Sequence, residues 1–188
     1  MKEPNWSSCT EEQLWKYVAW HLAGHGIESI LVGGAVVAVY SKGAYKSGDL
    51  DFIVTNFDAK KIATVLQELG FKKEGRHFIH PRCKHLFVEF PVGPLAIGSD
   101  YRIQPEVNVV NRRKIMILSP TDCVKDRLAS YVYFKSRDAL EQALLVAEAQ
   151  PIELAEIKRW CKKEGVEAQF NEFAQLLEKR TPSKDHRE

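Results

Sequence analysis

Residues 49–54, DLDFIV, alternate strictly: Leu50, Phe52 and Val54 fall on one face of an extended chain, Asp49 and Asp51 on the other. That is the period of a half-buried strand. A second run, KHLFVEF at 84–90, sets Leu86, Val88 and Phe90 on one face, with Glu89 opposite beside His85 and Phe87. Shorter strands are expected at 27–32, around 77–80, at 106–110 and at 114–118. Helical period replaces the alternation elsewhere. Leu14, Val18 and Leu22 share a face, with Trp15 and Ala19 beside them, behind a capping box of Thr10 and Gln13. Gly24 and Gly26 end that helix. Gly33-Gly34 turns the chain out of the first strand into a short apolar helix over 35–41, and 42–48 reads as a loop. Asp58 caps a helix carrying Ile62, Val65, Leu66 and Leu69, and Gly70 stops it. Ser119-Pro120 opens another, and further helices are expected near 137–148, 151–162 and 166–179. This order predicts an α+β fold: a small mixed sheet flanked by helices, with a C-terminal helical half. Residues 1–118 form the α/β core, 119–180 a helical part of the same compact unit, and 181–188 a flexible charged tail.

Composition narrows this picture without redirecting it. A chain of 188 residues with 45% hydrophobic and 28% charged residues suits one globular domain with a real core. No apolar stretch approaches the roughly 20 residues needed to span a bilayer, and the N-terminus lacks a signal pattern. A cytoplasmic protein without membrane partners is expected. The four cysteines, Cys9, Cys83, Cys123 and Cys161, form no CxxC pair and read as reduced thiols. A net charge of +2 argues against a broad nucleic-acid surface, so tRNA as a partner has no support from charge. His77, His80, Cys83 and His85 suggest zinc by composition. Alternation in a hairpin sends them to different faces, so they read as turn and strand surface. Tyr131 reads as core with Val124 and Leu128, residues 111–114 as a solvated turn, and Trp160, Phe170, Phe173 and Leu177 as core.

The acids are harder to explain as structure. Period two places the Cα atoms of Asp49 and Asp51 about 7 Å apart on one face. Two like charges at that spacing repel unless a cation lies between them, and Mg²⁺ takes one or two carboxylates together with substrate phosphates. If 84–90 pairs beside 49–54, Glu89 joins them and can hold a second ion. Two metals about 4 Å apart clamp the attacking and leaving oxygens of a phosphoryl displacement. Gly33-Gly34, between a strand and a helix, leaves backbone N–H groups free to cradle phosphate.

Strand, glycine pair, helix, loop and aspartate-x-aspartate strand, in that order, resemble the nucleotidyltransferase fold of the DNA polymerase β superfamily. The chain is similar in particular to small bacterial nucleotidyltransferases of the minimal and AbiE-type groups, over about residues 27–90. The resemblance implies that Asp49 and Asp51 ligate Mg²⁺ (or Mn²⁺) on a nucleoside triphosphate. Glu89 completes the catalytic and metal-binding site and helps deprotonate an acceptor hydroxyl, while Gly33 and Gly34 bind the β- and γ-phosphates. Ser47 stands where relatives have Thr or Ser two residues before the first acid. Tyr45 stands where many have Arg, which leaves Lys46 or Lys42 to supply positive charge. The implied reaction is transfer of a nucleoside monophosphate from an NTP to a hydroxyl of protein, RNA or a small molecule. The implied setting is toxin–antitoxin or phage defence, with a helical toxin or antitoxin as partner. Two competing readings are a catalytically inactive nucleotide- or partner-binding module of the same fold, and a glycosyltransferase whose DxD grips a metal-bound diphosphate.

Overall fold

Thr10 caps the first helix as its sequence context predicts: its hydroxyl accepts from the Gln13 N–H, and the Gln13 side chain accepts from the Thr10 N–H. The computed structural model describes residues 1–181, so the expected tail lies, beyond its first residue, outside the described residues. The chain runs α1 (Glu11–Gly24), β1 (Ser29–Val32), α2 (Gly34–Tyr40), β2 (Asp49–Val54), α3 (Ala59–Glu68), β3 (Lys72–Glu74), β4 (His77–His80) and β5 (Cys83–Glu89). A hairpin of β6 (Glu106–Val110) and β7 (Arg113–Ile117) follows, then α4 (Pro120–Phe134), α5 (Arg137–Ala149), α6 (Leu154–Lys163) and α7 (Glu167–Arg180). The hairpin turns on Asn111 and Arg112, whose φ angles of 45° and 67° match the left-handed pair that a two-residue connection between twisted strands requires.

Two elements differ from expectation. The edge strand β3 was not anticipated, because Lys72, Lys73 and Glu74 are all exposed and carry no apolar alternation. Helix α6 starts three residues later than expected. Gln150 is extended ahead of Pro151, as a residue before proline tends to be, and Glu153 serves as N-cap.

All strands join one seven-stranded sheet in the order β3-β4-β5-β2-β1-β7-β6. Neighbours are antiparallel except β2–β5 and β1–β7, which run parallel, so the sheet is mixed. The parallel pairing of β2 with β5 is the one that matters for chemistry. Helix α2 touches β1 and β2 on one side and α4 and α5 on the other, which places the helical half directly behind the sheet's centre. Leu31, Leu50, Phe52, Val88, Ile115 and Ile117 from the strands share one buried apolar cluster with Val36 and Val37 of α2 and Leu128, Leu144 and Phe173 of the later helices. Polar contacts repeat the link. Gln150 donates to the Tyr40 carbonyl at 2.9 Å, and the Trp160 indole N–H donates to the Ile97 carbonyl at 3.1 Å. Among the described residues, no helix is long and apolar enough to cross a membrane.

Candidate active site

Register decides where the acids meet. β2 and β5 are paired with Asp49 opposite Phe87, Leu50 opposite Val88 and Asp51 opposite Glu89. Leu50, Phe52 and Val88 are buried, so the alternation turns Asp49, Asp51 and Glu89 to the other side of the sheet, where all three are half-buried. The strand that reading by period alone left unplaced is thus the direct neighbour of the DxD strand.

The residues ahead of β2 hold Asp49 in place. The Ser47 hydroxyl donates to Asp49 Oδ1 at 2.7 Å, and the Ser47 N–H donates to Glu11 Oε1 at 2.8 Å from the first turn of α1. Both glycines are needed for close approach. Gly33 has φ of 73°, and a Cβ there would fall 2.9 Å from Asp51 Oδ2. At Gly34 a Cβ would fall 2.9 Å from the Ser47 hydroxyl and 3.5 Å from the Tyr45 hydroxyl. A side chain at either position would push the turn off the acidic strand.

Charge at this place is unbalanced. Burial first, then the neighbouring charges of Asp49 and Glu89, push the Asp51 carboxyl up from its ordinary 3.8 to about 6. Opposing them is Arg127 of α4, a residue that sequence reasoning missed. Its guanidinium is largely buried, pairs with Asp126 and donates to Gln142 Oε1 at 3.1 Å. Arg127 and Asp126 line a cleft of about 260 Å³ with Gly33, Asp51, Leu95 and Ile97. A signal for it did exist: Arg127 lies one helical turn from buried Cys123 and next to buried Leu128, so it interrupts an apolar face. Arg127 therefore brings positive charge to the neighbourhood of Tyr45 and Asp51 from a different element.

The remaining expected residues divide. Lys46 is exposed, and its side chain makes no hydrogen bond or ion pair among the described residues. Glu89 is in register but engaged: its carboxylate oxygens lie 2.9 Å from His77 Nε2 and 3.3 Å from Arg76 Nε. His77 stacks on Phe87, whereas His80 is buried against Trp6 with ring centroids 3.6 Å apart. Those two histidines therefore serve different neighbours. Cys83 and His85 face Cys9 instead.

Do the acids suit a metal? Their donors are all carboxylate oxygens, the hard ligands Mg²⁺ or Mn²⁺ takes, and the like charges of Asp49 and Glu89, which add to burial in raising the Asp51 carboxyl, are ones a cation would offset. Asp49, Asp51 and Glu89 do not bring one oxygen each within 4.8 Å of the other two, so the donor set fits an ion held by Asp49 and Asp51, with Glu89 engaged by His77 and Arg76.

Protein-family models and curated protein sequences yield no match to this chain. Solved structures do. An antigenic nucleotidyltransferase-like protein from Paracoccidioides brasiliensis superposes with a TM-score of 0.57 at 17% identity, over 94% of this chain and 90% of that one. The chain has a nucleotidyltransferase fold. The antibiotic-resistance factor ANT(2″)-Ia agrees in solution with a TM-score of 0.51 at 13% identity, over 87% of this chain and 92% of its own. Its crystal structure with adenylyl-2″-tobramycin gives 0.50 at the same 13%, over 87% and 96%. At such identities the nucleotidyltransferase fold is shared, while residue roles rest on this chain's own geometry.

Proposed function

We propose that this protein is a divalent-metal-dependent nucleotidyltransferase that moves a nucleoside monophosphate from an NTP to a hydroxyl, with release of pyrophosphate. The observation that carries this reading is the parallel register that sets Glu89 beside Asp51, on the face where the Gly33 turn rests against the DxD strand. Asp49 and Asp51 would hold Mg²⁺ (or Mn²⁺), which would supply neutralisation of the triphosphate charge. Ser47 keeps Asp49 aimed by its hydrogen bond. The small Gly33-Gly34 turn admits phosphate close to the backbone. Glu89 accepts the proton of the acceptor hydroxyl, and Arg127 offsets charge beside Asp51. In this reading Lys46, exposed in the loop before Ser47, supplies positive charge to phosphate oxygens.

For the acceptor, the neighbour solved with adenylyl-2″-tobramycin favours a small-molecule hydroxyl as the class to try first. A protein or RNA hydroxyl, and a toxin–antitoxin or phage-defence setting with a helical partner, rest on the sequence resemblance alone. A second reading has its own observation. Glu89 is tied to His77 and Arg76, which suits a protein that binds a metal nucleotide without transferring it.

The test is a titration of the four NTPs, with and without Mg²⁺, into wild type and an Asp49→Ala/Asp51→Ala variant. Metal-dependent binding that weakens at least about 100-fold in the folded variant is expected. Labelled NTP is then offered with an aminoglycoside panel and with protein and RNA acceptors. Binding without transfer selects the second reading, and binding that survives the double substitution removes both.

A further inference from the structure

A separate group of donor atoms converges where the N-terminal segment meets β5. Cys9, just ahead of α1, and Cys83, the first residue of β5, are both buried, and their Sγ atoms are 3.6 Å apart. Cys83 Sγ lies 3.8 Å from His85 Nδ1. One donor atom from each of the three residues lies within 4.8 Å of the other two, a convergence unmatched by any other Cys, His, Asp or Glu trio among the described residues.

These spacings have a chemical meaning. With Zn–S near 2.3 Å and Zn–N near 2.0–2.1 Å, tetrahedral geometry separates two ligand sulfurs by about 3.8 Å, and a sulfur from a nitrogen by about 3.6 Å. The two measured edges are close to both. The other imidazole nitrogen supplies independent support. His85 Nε2 is 2.9 Å from the Cys9 carbonyl oxygen. A carbonyl only accepts, so Nε2 carries the proton and Nδ1 presents its lone pair to the thiols. Metal-ligating histidines are held in this way, one nitrogen donating to a backbone carbonyl while the other binds the ion. Buried thiols beside a residue fixed in its ligating tautomer are more than a chance proximity.

We propose that Cys9, Cys83 and His85 form a zinc site, distinct from the carboxylates, that fastens the N-terminal segment to β5. Thiolate and imidazole select a borderline-soft ion such as Zn²⁺, whereas Mg²⁺ prefers the oxygen donors of Asp49 and Asp51. Each thiol releases its proton to solvent as its Zn–S bond forms, and no electron is exchanged. His85 is exposed and borders an open cleft with Trp6 and Arg82, so an ion has a route in and a water completes the tetrahedron. The cross-link joins two segments that support the acidic face. Cys9 is followed at once by Thr10 and Glu11, the residue that holds the Ser47 N–H, while Cys83 and His85 sit on the strand bearing Glu89.

The experiment uses the reduced full chain, stripped with a chelator and titrated with Co²⁺, then Zn²⁺, under absorption spectroscopy. One equivalent of Co²⁺ should produce a thiolate-to-cobalt charge-transfer band with the strong d–d bands of tetrahedral coordination, and one equivalent of Zn²⁺ should abolish both. Free Zn²⁺ on the order of 100-fold above Kd should raise Tm by about 5–10 °C. Cys83→Ser and His85→Ala should weaken Zn²⁺ binding at least tenfold. Asp49→Ala/Asp51→Ala should leave the charge-transfer band in place, because carboxylates do not give it. Reading the wild type directly keeps the test decisive even if a cysteine variant does not fold. A wild type without the charge-transfer band overturns the proposal, as does a band unchanged in folded Cys83→Ser. Peptide mapping that finds Cys9 joined to Cys83 as a disulfide in reducing buffer would assign the pair to redox chemistry instead.

Discussion

Asp51 is the residue in which structure and chemistry pull against each other. It lies opposite Glu89, beside Asp49 and under the Gly33 turn, and its carboxyl is pushed up to about 6 by burial and by those two acids. A raised carboxyl means that the folded chain holds the proton more tightly than the unfolded chain, whose carboxyl titrates near 3.8. Across pH 4 to 6 the unfolded state ionises first, so folding loses stability as pH rises through that window. The loss is complete above about pH 6. Asp51→Asn removes it. In metal-free protein the variant should be more stable than wild type at pH 7.5 by on the order of 1–2 kcal/mol, after discounting for partial solvent contact, and nearly equal at pH 3.5. Urea unfolding at the two pH values, with chelator present, measures this. An equal difference at both pH values would mean that the effect comes from packing rather than ionisation. Added Mg²⁺ should reverse the order at pH 7.5, because only the wild type gains from the ion.

Among the elements, α4 ties the site to the rest of the fold through charge as well as packing. Lys125 is 3% exposed, and its ammonium lies 2.7 Å from Asp122, 3.4 Å from Glu156 of α6 and 3.7 Å from Asp100 in the loop before β6. Lys125→Met keeps the length of the side chain but leaves three carboxylates facing one another. The expected cost is about 3–5 kcal/mol, read as a shift of the urea midpoint at unchanged slope. A cost below about 1 kcal/mol would show that water already solvates those acids. Sequence pattern revealed elements of one kind and hid others. Alternation marked β2 and β5 because a buried face repeats every second residue, and Asp49, Asp51 and Glu89 stood out against it. Lys125 and Arg127 are both largely buried: Asp100 and Glu156, far off in the chain, join Asp122 in neutralising Lys125, while Arg127 pairs with the adjacent Asp126. Cys9 and Cys83 are separated by 74 positions, and no local pattern announces their contact.

For the whole molecule, the question is whether sheet and helical half fold as one. A single apolar cluster runs from Trp6 and Leu14 through Phe52 and Val88 to Leu144, Phe173 and Leu177, and the buried Lys125–Asp100 ion pair adds a polar link between residues 1–118 and the helices that follow. The later helices also hold the loop over the cleft: Glu164 accepts from the Ser99 N–H at 2.9 Å, and Trp160 donates to Ile97, which lines the cleft beside Gly33 and Asp51. Losing the helical half would therefore uncover α2 and loosen one wall of the candidate site. This predicts one cooperative unfolding transition. With Trp160 of α6 replaced by Phe, Trp6, Trp15 and Trp20 report on the N-terminal part by fluorescence, while far-UV circular dichroism is weighted toward helix, including α4 to α7. Phe173 is fully buried in α7, and Phe173→Ala should cost about 3–5 kcal/mol through the cavity it leaves. If the two parts are one unit, that substitution moves the fluorescence and dichroism midpoints down together. If dichroism alone shifts, with the fluorescence midpoint left at its wild-type value, the helices unfold separately, and the cleft wall they support can open without disturbing the strands that carry Asp49, Asp51 and Glu89.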